Sequence, residues 1–281
     1  MDEVLVQKVK FATHDIRKKC LDVALAAGSR ATHFGGGIST IDILATLYFA
    51  VMNYDINNPT WERRDRFILS KGHGVLGYYA TLAEAGFLTD GELATFEKNG
   101  TILPGHPLIN KNKGIEFTNG SLGMGLAVGI GNAIAAKKKG LEYRTFVLLG
   151  DGECNEGSVW EAAMAAAHYE LDNLIAIVDR NNYQLGGENS DIMNLGDLRK
   201  KFNSFGWYAI EIDGHDIPSI FMALNEHSTG NPKAIIANTI KGKGFSFSEK
   251  CNEWHHAVLT QKQYDLGITE CGGKGIENHK Q

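Results

Sequence analysis

The sequence predicts an α/β fold, a doubly wound and mostly parallel sheet with helices on both faces. Short apolar runs alternate with segments of helical periodicity along most of the 281 residues, and such alternation is typical of parallel sheets. Two of these runs, at 145–149 and 174–178, flank an Ala-rich helical segment, which is the pattern of two parallel strands joined by a crossover. No internal repeat or low-complexity linker interrupts the chain. We therefore expect one domain over residues 1–281, with a polar tail from about residue 269.

Composition excludes several classes of protein. Hydrophobic residues make up 43% and charged residues 22% of the chain, as in ordinary globular proteins. The net charge of −5 gives no strong attraction to nucleic acid or to an anionic membrane, and neither is expected as a partner. No apolar run is predicted to reach membrane-spanning length, and the longest candidate, 122–136, is short and rich in glycine. The four cysteines are scattered without a CxxC pair, which favours reduced thiols and a cytoplasmic location.

Capping signals locate the helices of the first half of the chain. Residues 15–27 are predicted as an amphipathic helix that Gly28 terminates, and 39–52 as a second helix, since Ser39 and Asp42 have the spacing of a capping box. The other elements, in chain order, are predicted as a strand at 67–69, a turn at 70–74, helices at 75–85 and from 89, an irregular loop at 98–121, a Gly-rich helix at 122–139, strands at 145–149 and 174–178 around a helix that begins near 157, helices near 197–205 and 217–227, and strands at 207–212 and 234–239. A loop as long as 98–121 is more often functional than idle.

The two apolar runs around the Ala-rich helix end in residues suited to a cation. Asp151 follows the first run and Asn181 follows the second. Because the carboxyl ends of neighbouring parallel strands form the edge where ligands bind, we expect these side chains to lie together. A carboxylate, an amide oxygen and the backbone carbonyl of Tyr183 would be hard oxygen ligands for Mg2+ or Ca2+. An aspartate after a strand is also an ordinary helix cap, and its pairing with Asn181 favours the binding interpretation.

Glycine-flanked residues are candidates for binding an anion. Gly150 and Gly152 leave the backbone free, so that a diphosphate can approach the amides of Gly152 and Glu153. Lys241 follows an apolar strand in a glycine-rich turn, where a lysine often meets phosphate. Lys71 lies in a similar turn. A solvated surface lysine is the alternative interpretation for both.

Histidines are concentrated in predicted loops. Those that lie beside glycine or in a loop are His33, His73, His106 and His255. One such histidine alone is usually structural, but several at strand ends predict a polar pocket that donates hydrogen bonds or relays protons near neutral pH. His256 is an equal candidate to its neighbour, and His168 is predicted to be structural.

Small residues recur along the predicted Gly-rich helix. Gly125, Gly129 and Ala133 lie on one face, which allows close packing against a sheet or helix. Before this face begins, Gly120 and Leu122 are predicted to shape the pocket for a cofactor ring.

Motifs in a fixed order make the chain similar to the N-terminal, diphosphate-binding half of transketolases. They are SKGH at 70–73, GHP at 105–107, NGSLGMG at 119–125, GDGECNEGSVWEA at 150–162, NLIAIVDRNN at 173–182, TIKGKG at 239–244 and WHH at 254–256. Together they span nearly the whole chain. The resemblance implies the thiamine diphosphate-binding fold, thiamine diphosphate with Mg2+ or Ca2+ as cofactors, and transfer of a two-carbon ketol unit from a ketose (phosphate) to an aldose (phosphate).

The resemblance also implies roles for individual residues. His33, His73, His106 and His255 would line the substrate and cofactor channel, and Glu156 would be the interface glutamate that links two active sites. The implied cofactor-binding residues are His73, Gly120, Leu122, Gly150, Asp151, Gly152, Glu153, Asn181, Lys241 and His255, and the metal ligands are Asp151, Asn181 and Tyr183.

A full-length transketolase continues, beyond the point where this chain ends, into a pyrimidine-binding domain. The resemblance therefore implies the first subunit of a split transketolase, with that domain on a C-terminal partner subunit. We expect an α2β2 assembly and an inactive isolated chain. Two departures bear on substrate preference: Thr32-His33-Phe34 stands where the family usually has Gly-His-Pro, and Met124 stands where many members have glutamine.

Other interpretations of the motifs are less complete. The α subunit of a 2-oxoacid dehydrogenase shares the GDG and NN pair and has a partner chain, but lacks the SKGH and GHP histidines. A deoxyxylulose-phosphate synthase is ordinarily one long chain, and a dinucleotide-binding domain would need a GxGxxG turn that this chain lacks. A non-catalytic assembly subunit is a further alternative, against which the intact candidate ligands and histidines speak.

Overall fold

The computed structural model describes residues 1–272 and contains a parallel sheet of five strands in the order β1-β2-β3-β5-β4. The strands are β1 Arg66–Leu69, β2 Thr145–Gly150, β3 Leu174–Arg180, β4 Tyr208–Asp213 and β5 Lys233–Asn238. Every pair of neighbours is parallel, so all carboxyl ends meet at one edge. The predicted fold class is confirmed.

Helices connect the strands and cover both faces of the sheet. Within the described residues they are α1 Glu3–Ala27, α2 Phe34–Ile38, α3 Ile41–Thr46, α4 Val75–Glu84, α5 Asp90–Leu93, α6 Gly125–Lys139, α7 Gly157–His168, α8 Asn189–Ile192, α9 Leu198–Ser204, α10 Ile217–Asn225 and α11 Gln261–Gly272. A π-helical turn, Leu47–Val51, extends α3. The predicted irregular loop at 98–121 contains one short 3-10 turn, Lys111–Lys113.

The core has two layers, one on each face of the sheet. Phe146 and Leu148 of β2 pack into the layer formed with α1, α3, α4 and α10, whereas Val147 and Leu149 pack into the layer formed with α6, α7 and α9. All residues of β2 are buried, because helices cover both of its faces. This double cover explains why the strands occur in the sequence as continuous apolar runs.

Two helix predictions near the N-terminus are corrected by the structure. The first helix begins at Glu3 rather than residue 15, since the Asp2 side chain caps it by accepting a 2.7 Å hydrogen bond from the Leu5 amide. The helix expected at 39–52 begins only at Ile41, and its predicted capping box does not form. The hydroxyl of Ser39 instead donates to Asp179 at 2.8 Å. Tertiary partners have therefore replaced the local cap.

The prediction that no apolar run reaches membrane-spanning length, with 122–136 as the longest candidate, is wrong for the segment Phe34–Val51. The segment has 18 residues and a mean hydropathy of 1.5. By length and composition alone, it is long and apolar enough to span a membrane. In the structure 83% of this window is buried inside the protein. It comprises α2, α3 and the π-helical turn, which supply much of the first core layer.

The C-terminal helix takes up part of the predicted tail. Residues 269–272 belong to α11, which packs against α1, where a Cβ added at Gly267 would lie 2.9 Å from a methyl group of Leu21. The rest of the predicted tail, 273–281, lies outside the described residues.

Substitution by alanine is expected to have opposite effects on stability at two glycines of α6, Gly129 and Gly131. A Cβ added at Gly129 would lie 2.5 Å from a methyl group of Val147 in β2, whereas one added at Gly131 would meet nothing within 4 Å. We expect Gly129→Ala to lower the free energy of unfolding by about 1–3 kcal/mol through overpacking. Gly131→Ala should raise it by up to about 1 kcal/mol, because alanine favours the helix. Urea unfolding of the two variants measures both effects, and equal changes would contradict the packing argument.

Candidate functional site

Each strand delivers a polar residue to the carboxyl edge of the sheet. Lys71 follows β1, Asp151 follows β2, Asn181 follows β3, and Lys241 follows β5. His215 follows β4 at the outer edge. The strand order therefore brings together residues that are far apart in the chain, and the site is built on this edge.

Asp151 is held in place by backbone donors. Its side chain is buried, and its two carboxylate oxygens accept hydrogen bonds from the amides of Gly152 at 2.8 Å and Asn182 at 2.5 Å. Burial, together with the charge of Asp179, raises the pKa of Asp151 to about 6. A bound cation would offset both effects and favour the ionised carboxylate.

Asn181 lies at the next strand end, as predicted from the parallel pairing of β2 and β3. Its amide nitrogen donates to Asp179 at 2.9 Å, and its amide oxygen accepts from the Tyr183 amide at 3.0 Å. Within residues 1–272 there is no group of three His, Cys, Asp or Glu side chains that could hold a metal. A cation here would therefore rely on Asp151, amide and carbonyl oxygens, and the phosphates of a ligand.

Lys71 and Asp179 form a buried ion pair beneath the strand ends. Lys71 is 1% exposed and Asp179 is fully buried, with 2.5 Å between the ammonium nitrogen and a carboxylate oxygen. Asp179 also accepts from the hydroxyls of Ser39 and Thr239. Burial alone would raise the pKa of Asp179, but the Lys71 ammonium holds it below its usual range. The surface alternative for Lys71 is wrong, and Asp179 was missed because a single carboxylate at the end of an apolar run has no signal of its own in the sequence.

Lys241 is a buried cation of a different kind. It is 1% exposed, donates to the side-chain oxygen of Asn252 at 2.8 Å and lies 3.4 Å from Nδ1 of His255. Among the described ion pairs none joins Lys241 to a carboxylate. Burial and the charge of Lys71 lower its pKa to about 8. An anionic group beside Lys241 would stabilise its charged form.

Glu153 ties three segments together through its side chain. The buried carboxylate accepts from the Ser70 hydroxyl at 2.6 Å, from the Gly123 amide at 2.8 Å and from the Gly150 amide at 3.0 Å. Burial raises its pKa in spite of these donors. Sequence reasoning considered only the backbone amide of Glu153 and missed this anchoring role.

The predicted histidines form one cluster with His33 at its centre. The ring centroid of His33 lies 5.6 Å from those of His73, His106 and His255, and 4.5 Å from that of His256. His73 and His255 also stack at 5.4 Å. His256 therefore belongs to the cluster, which sequence reasoning had left open.

Four of the clustered imidazoles, those of His33, His73, His106 and His255, have lowered pKa values and are neutral near pH 7. Burial, together with His256, lowers the pKa of His33 to about 3, and burial with Lys241 lowers that of His255 to about 4. Burial and Lys71 lower the pKa of His73 well below its usual value, and burial lowers that of His106. Neutral rings can both donate and accept hydrogen bonds, which suits proton transfer to substrate oxygens.

This neutrality predicts a pH-dependent stability. A histidine whose pKa falls on folding binds fewer protons in the native state, so its contribution is present above pH 6.5 and is lost as pH falls toward the native pKa. That window runs from about 6.5 down to about 3 for His33 and down to about 4 for His255. We expect His255→Gln to remove about 1 kcal/mol of the stability difference between pH 7 and pH 5. Urea unfolding at both pH values measures it, and an unchanged difference would contradict the assignment.

Phe34, the departure beside His33, does not face the cluster. Its fully buried ring packs against Phe245 at 5.6 Å, Phe247 at 5.9 Å and Trp254 at 5.2 Å. The aromatic group therefore shapes the core that supports His33 and the 245–255 loop, rather than the channel itself.

A surface beside the site contains the remaining predicted residues. Gly120 has open space around it, and Leu122 and Met124 are 37% and 47% exposed. Glu156 is an exposed residue that precedes α7 and lies next to Gly123. Their roles at the cofactor ring and at an interface stay predictions.

Glu97 is a further residue at the site that sequence reasoning missed. Its φ of 55° places it in the left-handed region, and its carboxylate fills the space where a side chain at Gly105 would lie, next to His106. Burial raises its pKa, while His256 and Arg30 oppose the shift. A positive φ at a glutamate has no signature in the sequence.

The residues present fit a diphosphate with a divalent cation. Asp151 offers a carboxylate, and Lys241 offers a cation that no described carboxylate pairs with. In addition, the buried Nε2 of Gln184, beside Gly152, has no hydrogen-bond partner within the described residues. A donor and a cation at the ends of strands β2, β3 and β5 would meet anionic oxygens.

Comparison with known proteins agrees with this geometry. Residues 10–274 match the family described as "Transketolase, thiamine diphosphate binding domain". The chain belongs to the transketolase family. It corresponds to the N-terminal, thiamine diphosphate-binding part of these enzymes, and the predicted resemblance is confirmed.

The relatives include separate subunits as well as longer chains. The chain is 40% identical to a subunit of the apulose-4-phosphate transketolase of Phocaeicola vulgatus, covering 94% of each, and 46% identical to the corresponding subunit from Actinobacillus succinogenes, covering 91% of this chain and 92% of the relative. It also matches the transketolase structure from Leishmania mexicana with a TM-score of 0.86 and 30% identity. That match covers 94% of this chain but 41% of the other. The chain is therefore similar in extent to these bacterial subunits and spans about two fifths of a longer transketolase.

Proposed function

We propose that this chain is the diphosphate-binding subunit of a two-subunit transketolase that moves a two-carbon ketol unit from a phosphorylated ketose to an aldose. The observation that carries the proposal is the histidine cluster directly beside Lys241 and the strand ends of Asp151 and Asn181. Bound thiamine diphosphate would supply a nucleophilic carbon and an electron sink for cleaving a bond next to a carbonyl.

The strand-end residues would bind the charged part of the cofactor. Asp151 and Asn181, with the carbonyl of Tyr183, would hold Mg2+ against the diphosphate, and Ca2+ would be an alternative ion. Lys241 would donate to a phosphate oxygen. The Lys71–Asp179 pair lies below them and orients the Asn181 amide through the hydrogen bond to Asp179. These contacts make binding depend on the metal.

The histidines would handle the protons of the sugar. Making and breaking a carbon–carbon bond beside a hydroxyl requires a proton to leave and later return to an oxygen. His33 lies at the centre of the cluster and has four imidazole neighbours. The rings with lowered pKa values would donate and accept hydrogen bonds to substrate oxygens in their neutral form. His73 and His255 lie at the end of the cluster nearer to Lys71 and Lys241, and would reach toward the diphosphate.

The partner would supply the pyrimidine-binding domain. The two bacterial relatives that are named as subunits have nearly the length of this chain, and the longer transketolase contains more than twice the sequence that this chain matches. We propose an α2β2 assembly in which the exposed surface around Leu122 and Glu156 meets the partner. Because the same two relatives are named for apulose 4-phosphate, a phosphorylated ketose of this type is the first substrate to test.

Co-expression of the chain with a C-terminal transketolase subunit from the same source tests the proposal. Calorimetric titration of thiamine diphosphate with Mg2+ is expected to show binding to the complex and little to the isolated chain. The complex should then release a triose phosphate from apulose 4-phosphate or xylulose 5-phosphate when an aldose acceptor is present. A complex that binds no thiamine diphosphate would overturn the proposal, and an isolated chain with full activity would overturn the split site.

A further inference from the structure

The turn after β4 packs tightly on the end of β5. The amide of Gly214 donates to the carbonyl of Asn238 at 2.8 Å. A Cβ added at Gly214 would lie 2.5 Å from a methyl group of Thr239 and 3.0 Å from that carbonyl. The absence of a side chain at Gly214 therefore lets the β4 turn contact the backbone that leads into Lys241.

His215 extends this contact through its ring. The backbone amide of Ile240 donates to Nε2 of His215 at 2.8 Å, and Nδ1 of the ring lies 2.8 Å from a carboxylate oxygen of Asp42. A ring nitrogen that accepts from a backbone N–H carries no proton, so Nδ1 is the protonated nitrogen and donates to Asp42. The hydrogen bonds thus define one neutral tautomer.

The far end of the series of contacts is anchored in the core helices. Asp42 of α3 is 6% exposed and also accepts from Arg17 of α1 at 2.7 Å. The imidazole of His215 is 14% exposed. A continuous series of contacts therefore runs from Arg17 through Asp42 and His215 to the amide of Ile240, the residue before Lys241.

We propose that His215 is a positioning residue for the cofactor site. It fixes the backbone of Ile240, so that Thr239 on one side reaches Asp179 and Lys241 on the other side lies beside His255. His215 touches neither the strand-end ligands nor the histidine cluster through any described hydrogen bond. Its effect is exerted through the backbone, and the inference rests on the proposed function for the identity of the ligand.

Two conservative variants distinguish the contact of Nε2 with the Ile240 amide from the contact of Nδ1 with Asp42. His215→Gln can place an oxygen near the position of Nε2 and keep an acceptor for the Ile240 amide. His215→Asn can place a donor near Nδ1 and keep the contact to Asp42, but is too short to reach Ile240. In the co-expressed complex we expect His215→Asn to weaken thiamine diphosphate binding about three- to tenfold, the value of one backbone hydrogen bond, while His215→Gln stays within about twofold of wild type.

Amide hydrogen exchange provides a readout that is independent of the cofactor. Exchange of the Ile240 amide should accelerate in His215→Asn and stay slow in His215→Gln. His227→Gln, at an exposed histidine, is the matched control and should change neither measurement.

The possible results discriminate between the inference and the proposed function. Equal cofactor affinity and equal Ile240 exchange in the two His215 variants would overturn the inference, provided that the wild-type complex binds thiamine diphosphate. The inference would also be overturned if His215→Gln and His215→Asn both lost affinity for thiamine diphosphate in proportion to a lower melting temperature. A wild-type complex without affinity for thiamine diphosphate would instead overturn the proposed function, and the role of His215 toward that ligand with it.

Discussion

Asp151→Asn is expected to lower the affinity of the assembled complex for thiamine diphosphate with Mg2+ by about 100-fold or more. Outer-shell changes at metal sites already cost about 10- to 100-fold, and Asp151 would be the only carboxylate ligand. The substitution also affects the strand end itself. Both carboxylate oxygens accept backbone amides, from Gly152 and Asn182, and the amide nitrogen of asparagine cannot accept from either.

Calorimetric titration of the complex at a fixed Mg2+ concentration measures this loss. Asp191→Asn is a suitable control, because Asp191 is an exposed residue of α8 whose side chain meets only the Ser190 hydroxyl among the described hydrogen bonds. The control should bind the cofactor as the wild type does. Wild-type affinity in Asp151→Asn would show that the metal does not depend on this carboxylate.

The largest effect on folding is expected at the buried ion pair. Lys71→Met removes the ammonium and leaves the carboxylate of Asp179 charged and fully buried. Breaking one side of such a pair costs about 3–5 kcal/mol, because the remaining charge is desolvated without compensation. Urea unfolding of the full chain should show this loss of stability.

The double variant Lys71→Met/Asp179→Asn tests the cause of that loss. It removes both charges, so much of the stability lost in the single variant should return. Lys139→Met serves as the control, because Lys139 and its partner Glu62 are 60% and 62% exposed and their pair is screened by water. No measurable change is expected there. A double variant as unstable as Lys71→Met would mean that packing, rather than unpaired charge, causes the loss.

Sequence patterns were sufficient for the architecture and for much of the site. Apolar runs separated by helices identify a parallel sheet, and residues that follow such runs must lie at its carboxyl edge, because all parallel strands end on the same side. Asp151 and Asn181 are therefore predicted at neighbouring strand ends, and β2 and β3 pair in that way. The roles proposed for them as metal ligands stay predictions.

Contacts between segments that are distant in the chain decided whether a predicted helix cap formed. Ser39 and Asp42 have the spacing of a capping box, yet Ser39 donates to Asp179 and Asp42 binds Arg17 and His215. A buried carboxylate that lacks water gains more from these partners than a helix end would gain from a cap. Periodicity reports only on neighbours along the chain and cannot show such contacts.

The electrostatic character of the site also depends on the fold. Motifs and spacing place Lys71, Lys241 and several histidines in the strand-end loops of a transketolase-like chain. Only the packed structure shows that Lys71 pairs with Asp179 and that Lys241 has no carboxylate partner among the described residues. It also shows that burial, with nearby cationic groups, lowers the pKa values of His33, His73 and His255. The physical reason is that the charge and pKa of a side chain depend on its burial and on its distance from other groups at the strand ends. Neither quantity can be read from local sequence patterns.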